Sequence, residues 1–123
     1  MPTSGASAAG VAREFVEARK YPRYRFEVEV RVYPRNSAVV HGHTVDISDS
    51  GISAVLRMEV PVGEVVRLEF NVSLGPVDVF ALVRQRNAFR YGFQFVEASS
   101  AMEIIGRTCR QLAIEEAILS STL

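Results

Sequence analysis

The spacing of apolar residues along the chain changes twice, and these changes constrain the fold more than any other feature of the sequence. Every second residue is apolar in the first regular segment: Phe26, Val28, Val30 and Val32. The intervening residues, at positions 27, 29 and 31, are charged. This two-residue period is typical of a β-strand that has one face on the core and the other in water.

Five more segments of this kind follow, each rich in β-branched and aromatic residues: 37–47, 51–58, 64–73, 77–86 and 89–97. Turn-forming residues separate the segments, as at Gly75-Pro76. Short strands with tight connections favour antiparallel pairing. The fold class is therefore mainly β, and we predict a six-stranded antiparallel β-barrel over about residues 26–97.

After residue 97 the apolar residues recur at the spacing of an α-helix. We predict a C-terminal helix over about residues 100–119, whose apolar stripe packs on the barrel: Met102, Ile105, Cys109, Leu112 and Ala113. A second apolar set lies on the opposite face: Ile104, Ile114 and Ile118. One interpretation of that set is a protein contact or a homodimer surface, and the other is scattered exposed isoleucines at a fraying end.

Residues 1–18 are predicted to form a flexible N-terminal arm, with a single domain at residues 19–123. The first ten residues have neither the basic nor the apolar region of a signal peptide, and no run of about 18 apolar residues follows. Residues 11–20 have helical spacing but are long enough only for a marginal helix. A chain of 123 residues, of which 48% are hydrophobic, suits one domain, and we expect a cytoplasmic location without membrane insertion.

Positive charge is concentrated in one short segment. Lys+Arg and Asp+Glu both total 14, so the whole chain has a formal net charge of zero, yet five positive residues and two negative ones fall between residues 13 and 25. Arg19 and Arg23 are four apart there, although Pro22 disfavours a regular helix. Their guanidinium groups can pair with phosphates or with the O6 and N7 acceptors of guanine. The alternative interpretation is a solvated basic linker.

A second candidate motif, DISDSG, occupies residues 46–51, between the second and third predicted strands. Asp46 supplies a carboxylate that accepts from N–H donors such as those on the Watson–Crick edge of guanine. Ser48 offers a rotatable hydroxyl, and Gly51 permits both a positive φ and close approach of the backbone. The same residue types dominate ordinary turns, which is the alternative interpretation.

The chain has an RxxxR motif just ahead of the first barrel strand and a DxSxxG motif between the second and third strands. This arrangement resembles the PilZ domain family, bacterial receptors for the second messenger cyclic di-GMP. The segment YGFQFVE also resembles the closing strand of that family. The resemblance implies a barrel with a C-terminal helix, on which the arginine segment clamps the ligand over a floor formed by DxSxxG. The implied ligand-binding residues are Arg19, Arg23, Asp46, Ser48 and Gly51, with Lys20, Arg25 and Gly92 as auxiliary contacts.

The resemblance also implies a stoichiometry and a mechanism. An arginine just before RxxxR favours two stacked ligand molecules in this family, but this chain has Ala18 there, so we expect one, unless Arg13, Lys20 or Arg25 supplies the missing cation. Residues 11–25 are predicted to be mobile without ligand and ordered with it, because their cations repel one another until an anion arrives. A stand-alone domain of this kind would signal through a protein partner, for example in motility or biofilm control.

Two other functions remain open: an interaction module of pilus or motility systems that acts without nucleotide, and a nucleic-acid binder, which zero net charge disfavours. We predict a non-enzyme with neither metal nor other cofactor, since no nucleophile with a base and no paired carboxylates stand out. His41 and His43 lie two apart on one strand face without a third ligand nearby. Arg84, Arg86 and Arg90 surround a predicted hairpin, either as solvated side chains or as an auxiliary phosphate contact.

Overall fold

The computed structural model describes residues 21–96 and 100–122 of the chain. Within these ranges lie seven strands and one helix: β1 (Tyr24–Arg25), β2 (Glu29–Tyr33), β3 (Val40–Ile47), β4 (Gly51–Leu56), β5 (Val65–Val72), β6 (Gly75–Asn87), β7 (Arg90–Phe95) and α1 (Ser100–Thr122). The predicted N-terminal arm, residues 1–18, lies outside the described residues. The predicted C-terminal helix is confirmed, and it ends about one turn later than expected.

Six of the strands close a barrel. Neighbours are antiparallel throughout, in the order β3-β2-β5-β6-β7-β4 and back to β3. Strand β1 adds a two-residue pairing at the end of β3, where Tyr24 lies opposite Ile47 and Arg25 opposite Asp46. The sequence-based prediction of a six-stranded antiparallel barrel with a C-terminal helix is therefore confirmed.

The first predicted strand begins later than its apolar pattern indicates. Regular pairing starts at Glu29 rather than at Phe26. Two backbone hydrogen bonds, Phe26 N–H to the Val45 carbonyl and Thr44 N–H to the Val28 carbonyl, still join the preceding residues to β3. The Thr44 hydroxyl adds to them, because it accepts from the Val28 N–H at 2.9 Å and donates to the Phe26 carbonyl. Phe26 and Val28 still pack against the core, with the Phe26 ring edge-on to Phe70 at 6.0 Å between centroids. The alternation predicted the buried face, although the hydrogen bonds there involve a side chain.

Side chains from alternating strand positions fill the barrel. Fully buried residues come from every strand of the ring, among them Val32, Ile47, Ile52, Leu68, Val79 and Tyr91. The hydroxyl of Tyr91 accepts a hydrogen bond from the backbone N–H of Val60 at 3.0 Å, so its polar end is satisfied inside the core. The burial of each large apolar side chain contributes about 1.5–3 kcal/mol to the free energy of unfolding. This core gives the outer surface of the barrel a rigid base.

Helix α1 packs on β6 and on β1. The predicted stripe faces the barrel, with Ile105 and Cys109 buried and Met102 and Leu112 half-buried. Ile104 differs from the prediction, because it packs against the core instead of facing away from it. The barrel therefore covers a wider arc of the helix than one apolar stripe indicates.

The last turns of α1 extend past the barrel. From Ile114 to Ser121 every side chain is exposed. Three of them are large and apolar, and we call them the helix tip: Ile114, Ile118 and Leu119, which are 61%, 56% and 65% exposed. The exposure of Ile114 and Ile118 agrees with the prediction. The described part of the chain has no helix with the length and apolarity that a bilayer span requires.

Candidate functional site

A β-bulge in β3 determines where the DISDSG motif points. The pairing of β3 with β4 is regular up to Thr44 and resumes at Asp46, so Val45 is an extra residue. One extra residue reverses the inward and outward alternation of the strand beyond it. Thr44 and Ile47 are consequently both buried, whereas Asp46 lies on the outer surface with its side chain 20% exposed.

The Asp46 carboxylate receives three side-chain contacts. Ser53, its cross-strand partner on β4, donates from its hydroxyl to Oδ1 at 2.7 Å. Arg23 donates from Nη1 to the same oxygen at 2.9 Å. Arg90, at the start of β7, approaches the other oxygen, Oδ2, with its Nη2 at 3.4 Å. Among the described residues, two guanidinium groups thus share this carboxylate, and the three side chains together carry one positive charge.

Ser48 closes the turn that follows Asp46. Its hydroxyl accepts from the backbone N–H groups of Ser50 and Gly51, both at 3.2 Å. The backbone N–H of Ser48 donates to the Gly51 carbonyl at 2.8 Å. The residue is only 1% exposed. The hydroxyl was expected to be rotatable, but its hydrogen bonds fix it in the turn, as serine hydroxyls often are fixed.

Gly51 is required because another backbone lies close to it. A Cβ at this position would lie 2.3 Å from the carbonyl oxygen of Phe93 on β7. The positive-φ glycines of the described chain are Gly63 and Gly75, so the positive φ considered for Gly51 is wrong and its close approach is confirmed. Any side chain here would force β4 away from β7.

Gly92 lies one strand further round the barrel, opposite Ser53 on one side and Gln85 on the other. A Cβ added to Gly92 would lie 3.1 Å from Cγ of Gln85, whose side chain covers the glycine. Because Gly92 has no side chain, no side chain of β7 stands between Ser53 on β4 and Gln85 on β6. This placement puts the auxiliary candidate next to the carboxylate cluster.

The arginine segment reaches the cluster through Arg23. Arg19 and Lys20 lie outside the described residues, as does Ala18. Arg25 lies opposite Asp46 in the β1–β3 pairing, but its guanidinium is 85% exposed and lies 3.5 Å from Glu27. Of the predicted site residues, the structure thus brings together Arg23, Asp46, Ser48, Gly51 and Gly92, with Arg25 adjacent.

The other hairpin arginines have partners away from Asp46. A second bulge, at Arg84, reverses the alternation near the end of β6. Beyond it Arg86 lies over the buried ring of Tyr91, 5.4 Å from the ring centroid, and 3.4 Å from Glu59. The hydrogen bond with Glu59 raises the pKa of Arg86. Arg84 donates to the side chain of Gln94.

Two residues of the cluster were not assigned to it from the sequence. Ser53 belongs to no motif, and its only signal is a hydroxyl in the apolar strand GISAVL. Arg90 was predicted only as part of the hairpin, with a phosphate contact as one of two interpretations. Antiparallel pairing of β4 with β7 places Arg90 near Asp46, and local spacing does not reveal that long-range pairing.

The motif turn also touches helix α1. Oδ1 of Asp49 would lie 3.8 Å from a Cβ added to Gly106 on the helix. Burial raises the pKa of the Cys109 thiol to about 12, and the charge of Asp49 with a hydrogen bond to it adds to the shift. The thiol is therefore neutral near pH 7, and the turn is in contact with the helix.

His41 and His43 are both exposed on the outer face of β3, as the alternation predicted. Groups of three or more His, Cys, Asp or Glu side chains that could hold a metal ion do not occur within residues 21–96 and 100–122. The two histidines thus remain a polar strand surface on the described part of the barrel.

Solved structures share this fold at low sequence identity. The PilZ domain of CeSA from a cellulose-synthesizing bacterium is 17% identical with a TM-score of 0.60, covering 77% of this chain and 98% of that chain. The PilZ domain of Escherichia coli YcgR, solved with c-di-GMP, is 16% identical with a TM-score of 0.68, covering 85% and 98%. Bacillus subtilis MotI/DgrA, an inhibitor of motility, is 20% identical with a TM-score of 0.66, covering 79% and 52%.

Comparison with curated proteins finds no match. The model of the PilZ domain matches residues 17–111, which include both the RxxxR and the DxSxxG motifs and all seven strands. Since this match covers most of the chain, and the solved structures share its barrel and helix, the chain belongs to the PilZ domain family.

Proposed function

We propose that the protein is a receptor for cyclic di-GMP that acts on a protein partner when the ligand binds. The observation that carries this proposal is the 2.9 Å contact between Arg23 and Asp46, which joins the two sequence motifs on one surface of the barrel. Family membership supports it, as do the two YcgR structures that contain c-di-GMP.

The chemistry of the ligand matches the charges of the cluster. Cyclic di-GMP presents two phosphates and two guanines. Guanidinium groups pair bidentately with phosphate oxygens or with guanine O6 and N7, and the Asp46 carboxylate accepts from guanine N1–H and the exocyclic amine. The excess positive charge at Asp46 favours an anionic ligand over a neutral one.

In this proposal the site residues have three kinds of role. Arg19 and Arg23 form the clamp, and Asp46 is the acceptor on the floor. Ser48 and Gly51 act through the shape of that floor, because the serine closes the turn and the glycine lets β4 approach β7. Auxiliary contacts come from Lys20, Arg25 and Gly92. One ligand molecule binds per chain, since Ala18 supplies no additional cation.

The segment before β1 is the proposed switch. Tyr24 and Arg25 are already paired with β3, so the predicted change over residues 11–25 is narrowed to the residues before Tyr24. Ordering costs about 1–2 kcal/mol of backbone entropy per residue, and a ligand that contacts both arm and floor offsets it. Hydrogen exchange of the amides of residues 11–23 should slow in saturating cyclic di-GMP. Equal protection with and without ligand would contradict the switch.

A partner or a second copy of the chain is proposed to bind the helix tip, because three large apolar side chains project there into water. The variant Ile114→Glu/Ile118→Glu should lose self-association or partner capture in sedimentation and pull-down experiments. Ser120→Glu is the matched control, since it adds charge at an exposed position of the same turns without removing an apolar side chain. If the double variant matches wild type in both experiments, the tip is not the contact surface.

We also infer a binding rather than a catalytic role, and a cytoplasmic location, which a receptor for an intracellular second messenger requires. Titration calorimetry of the full chain with cyclic di-GMP, GTP and a short single-stranded oligonucleotide tests the proposal. Saturable one-to-one binding of cyclic di-GMP alone is expected. Binding of the oligonucleotide alone would identify a nucleic-acid binder instead.

The second candidate function is a PilZ-like interaction module, for example in pilus or motility regulation, that works without nucleotide. The exposed helix tip favours it, because its apolar side chains lie on α1 and are not part of the Asp46 cluster. The same calorimetry separates the two candidates. If none of the three ligands binds while partner capture still depends on the helix tip, the receptor proposal is wrong and the module is correct.

A further inference from the structure

Asp46 uses its two oxygens unequally. Oδ1 accepts from both Ser53 and Arg23 at normal hydrogen-bond lengths of 2.7 and 2.9 Å. Oδ2 has the longer contact with Arg90, at 3.4 Å, near the limit of a hydrogen bond. A carboxylate oxygen can accept two hydrogen bonds, so Oδ2 is the oxygen most open to an incoming N–H donor.

Arg90 differs from the other arginines of its hairpin in the partners that its guanidinium contacts. Arg84 donates to the neutral Gln94, and Arg86 is held between Glu59 and the ring of Tyr91. The guanidinium of Arg90 is 55% exposed, and its contact with Asp46 is its one ion pair within the described residues. The contact with Asp46 uses Nη2, and a guanidinium carries five N–H donors, so this half-exposed group has donors to spare for a further partner.

These two observations bear on how Arg90 changes its partner when a ligand binds. A ligand N–H that binds Oδ2 of Asp46 competes with Arg90 for the charge of the carboxylate, and the 3.4 Å contact with Arg90, the longest of the three, is the one most easily lost. The guanidinium of Arg90 can then turn to another anion, and a phosphate of the ligand supplies one.

We propose that Arg90 is a ligand-binding residue that leaves Asp46 and pairs with a phosphate of the bound cyclic dinucleotide. This inference rests on the proposed receptor function and adds to it a cation from β7, outside both sequence motifs. It also gives the site a cation on the barrel itself, whereas Arg19, Lys20 and Arg23 all belong to the arginine segment. A phosphate is therefore held from two sides, by the segment and by β7.

The test compares Arg90→Ala with Arg84→Ala, which removes the same charge from the same hairpin but leaves Asp46 untouched. Calorimetry with cyclic di-GMP is carried out on both variants, on Arg90→Lys and on wild type, between about 50 mM and about 200 mM salt. Arg90→Ala should raise Kd about tenfold or more. Arg84→Ala should stay within about twofold, and Arg90→Lys should lie between because it keeps the charge but loses the fork.

Salt dependence distinguishes a direct contact from a positioning role. A cation that pairs with ligand phosphate steepens the dependence of Kd on salt, so Arg90→Ala should show a shallower slope than wild type and Arg84→Ala. If Arg90→Ala loses affinity with an unchanged slope, Arg90 only positions Asp46 and the direct contact is wrong. If Arg90→Ala binds like Arg84→Ala, the inference fails while the receptor function stands. If wild type itself does not bind, both fall.

Discussion

Two faces of the barrel carry charged clusters, and they differ in balance. On the outer surface of β3, β4 and β7, which we call the site face, Arg23 and Arg90 share the single carboxylate of Asp46. On the outer surface of β2, β5 and β6, five interacting residues form a second cluster, which we call the paired face: Arg31, Arg67, Glu69, Asp78 and Tyr33. Among the described residues, the formal charge of the paired face is zero, whereas Arg23, Arg90 and Asp46 of the site face sum to one positive charge.

The paired face satisfies its own charges. Glu69 accepts from Arg31 and from the hydroxyl of Tyr33, both at 2.8 Å. Arg67 stacks on the Tyr33 ring at 3.9 Å and donates to both oxygens of Asp78. Hydrogen bonds to Glu69 and to Asp78 raise the pKa of Arg31 and of Arg67, respectively.

The comparison teaches that the number of arginines on a surface says little about ligand binding. Both faces have two arginines in contact with carboxylates, but only the site face has more guanidinium groups than acids to pair with them. A balanced network contributes modestly to stability. An unbalanced one attracts an anion from solution. The charge imbalance of the site face therefore supports the proposed binding of an anionic ligand there.

The largest expected effect comes from Gly51→Ala, which should remove the site face while leaving the paired face in place. A Cβ 2.3 Å from the Phe93 carbonyl must displace backbone, so we expect a loss of about 1–3 kcal/mol of unfolding free energy and loss of ligand binding. For stability, Gly92→Ala is the matched control, because its Cβ meets only the flexible Gln85 side chain. Denaturant unfolding and calorimetry measure both effects. Equal stability of the two variants would contradict the role assigned to the β4–β7 approach.

The sequence predicts the secondary structure of the molecule better than the contacts of its site. The two-residue period predicted the strands and their buried faces, and the helical spacing after residue 97 predicted the helix, because local spacing reports which side of an element is apolar. The motif DISDSG identified Asp46 as a surface acceptor. The Val45 bulge that turns Asp46 outward was not predictable, since it is a property of the β3–β4 pairing. Ser53 and Arg90 lie beyond sequence reasoning for the same reason, because their contacts join separate strands.

The next effect comes from removing one arginine from each face. Arg23→Ala removes charge-assisted bonds worth about 1.5–3 kcal/mol, so the Kd for cyclic di-GMP should rise about 10- to 100-fold with little change in stability. Arg67→Ala, its counterpart on the paired face, should leave Kd unchanged. Its side chain is 35% exposed, so the loss in unfolding free energy should be at most about 1 kcal/mol. Calorimetry and thermal unfolding of both variants provide the measurement. Weaker binding by Arg67→Ala would show that the faces are not independent.

The smallest effect concerns acid stability on the paired face. Hydrogen bonds from Tyr33 and then from Arg31 lower the pKa of Glu69 below its ordinary value of 4.5. A carboxyl group whose pKa is lower in the folded state stabilises the protein above its ordinary pKa, and the contribution disappears as the pH falls through the folded value. Wild type should therefore lose stability more steeply on acidification below about pH 4.5 than Glu69→Gln, which has no carboxylate to titrate. Thermal unfolding from neutral to acidic pH measures the difference, with the exposed Glu116→Gln as a control that should follow wild type. At neutral pH Glu69→Gln should bind cyclic di-GMP like wild type, because Glu69 contacts only the paired face among the described residues. Parallel pH profiles for Glu69→Gln and wild type would mean that the network there does not hold the carboxylate in its charged form.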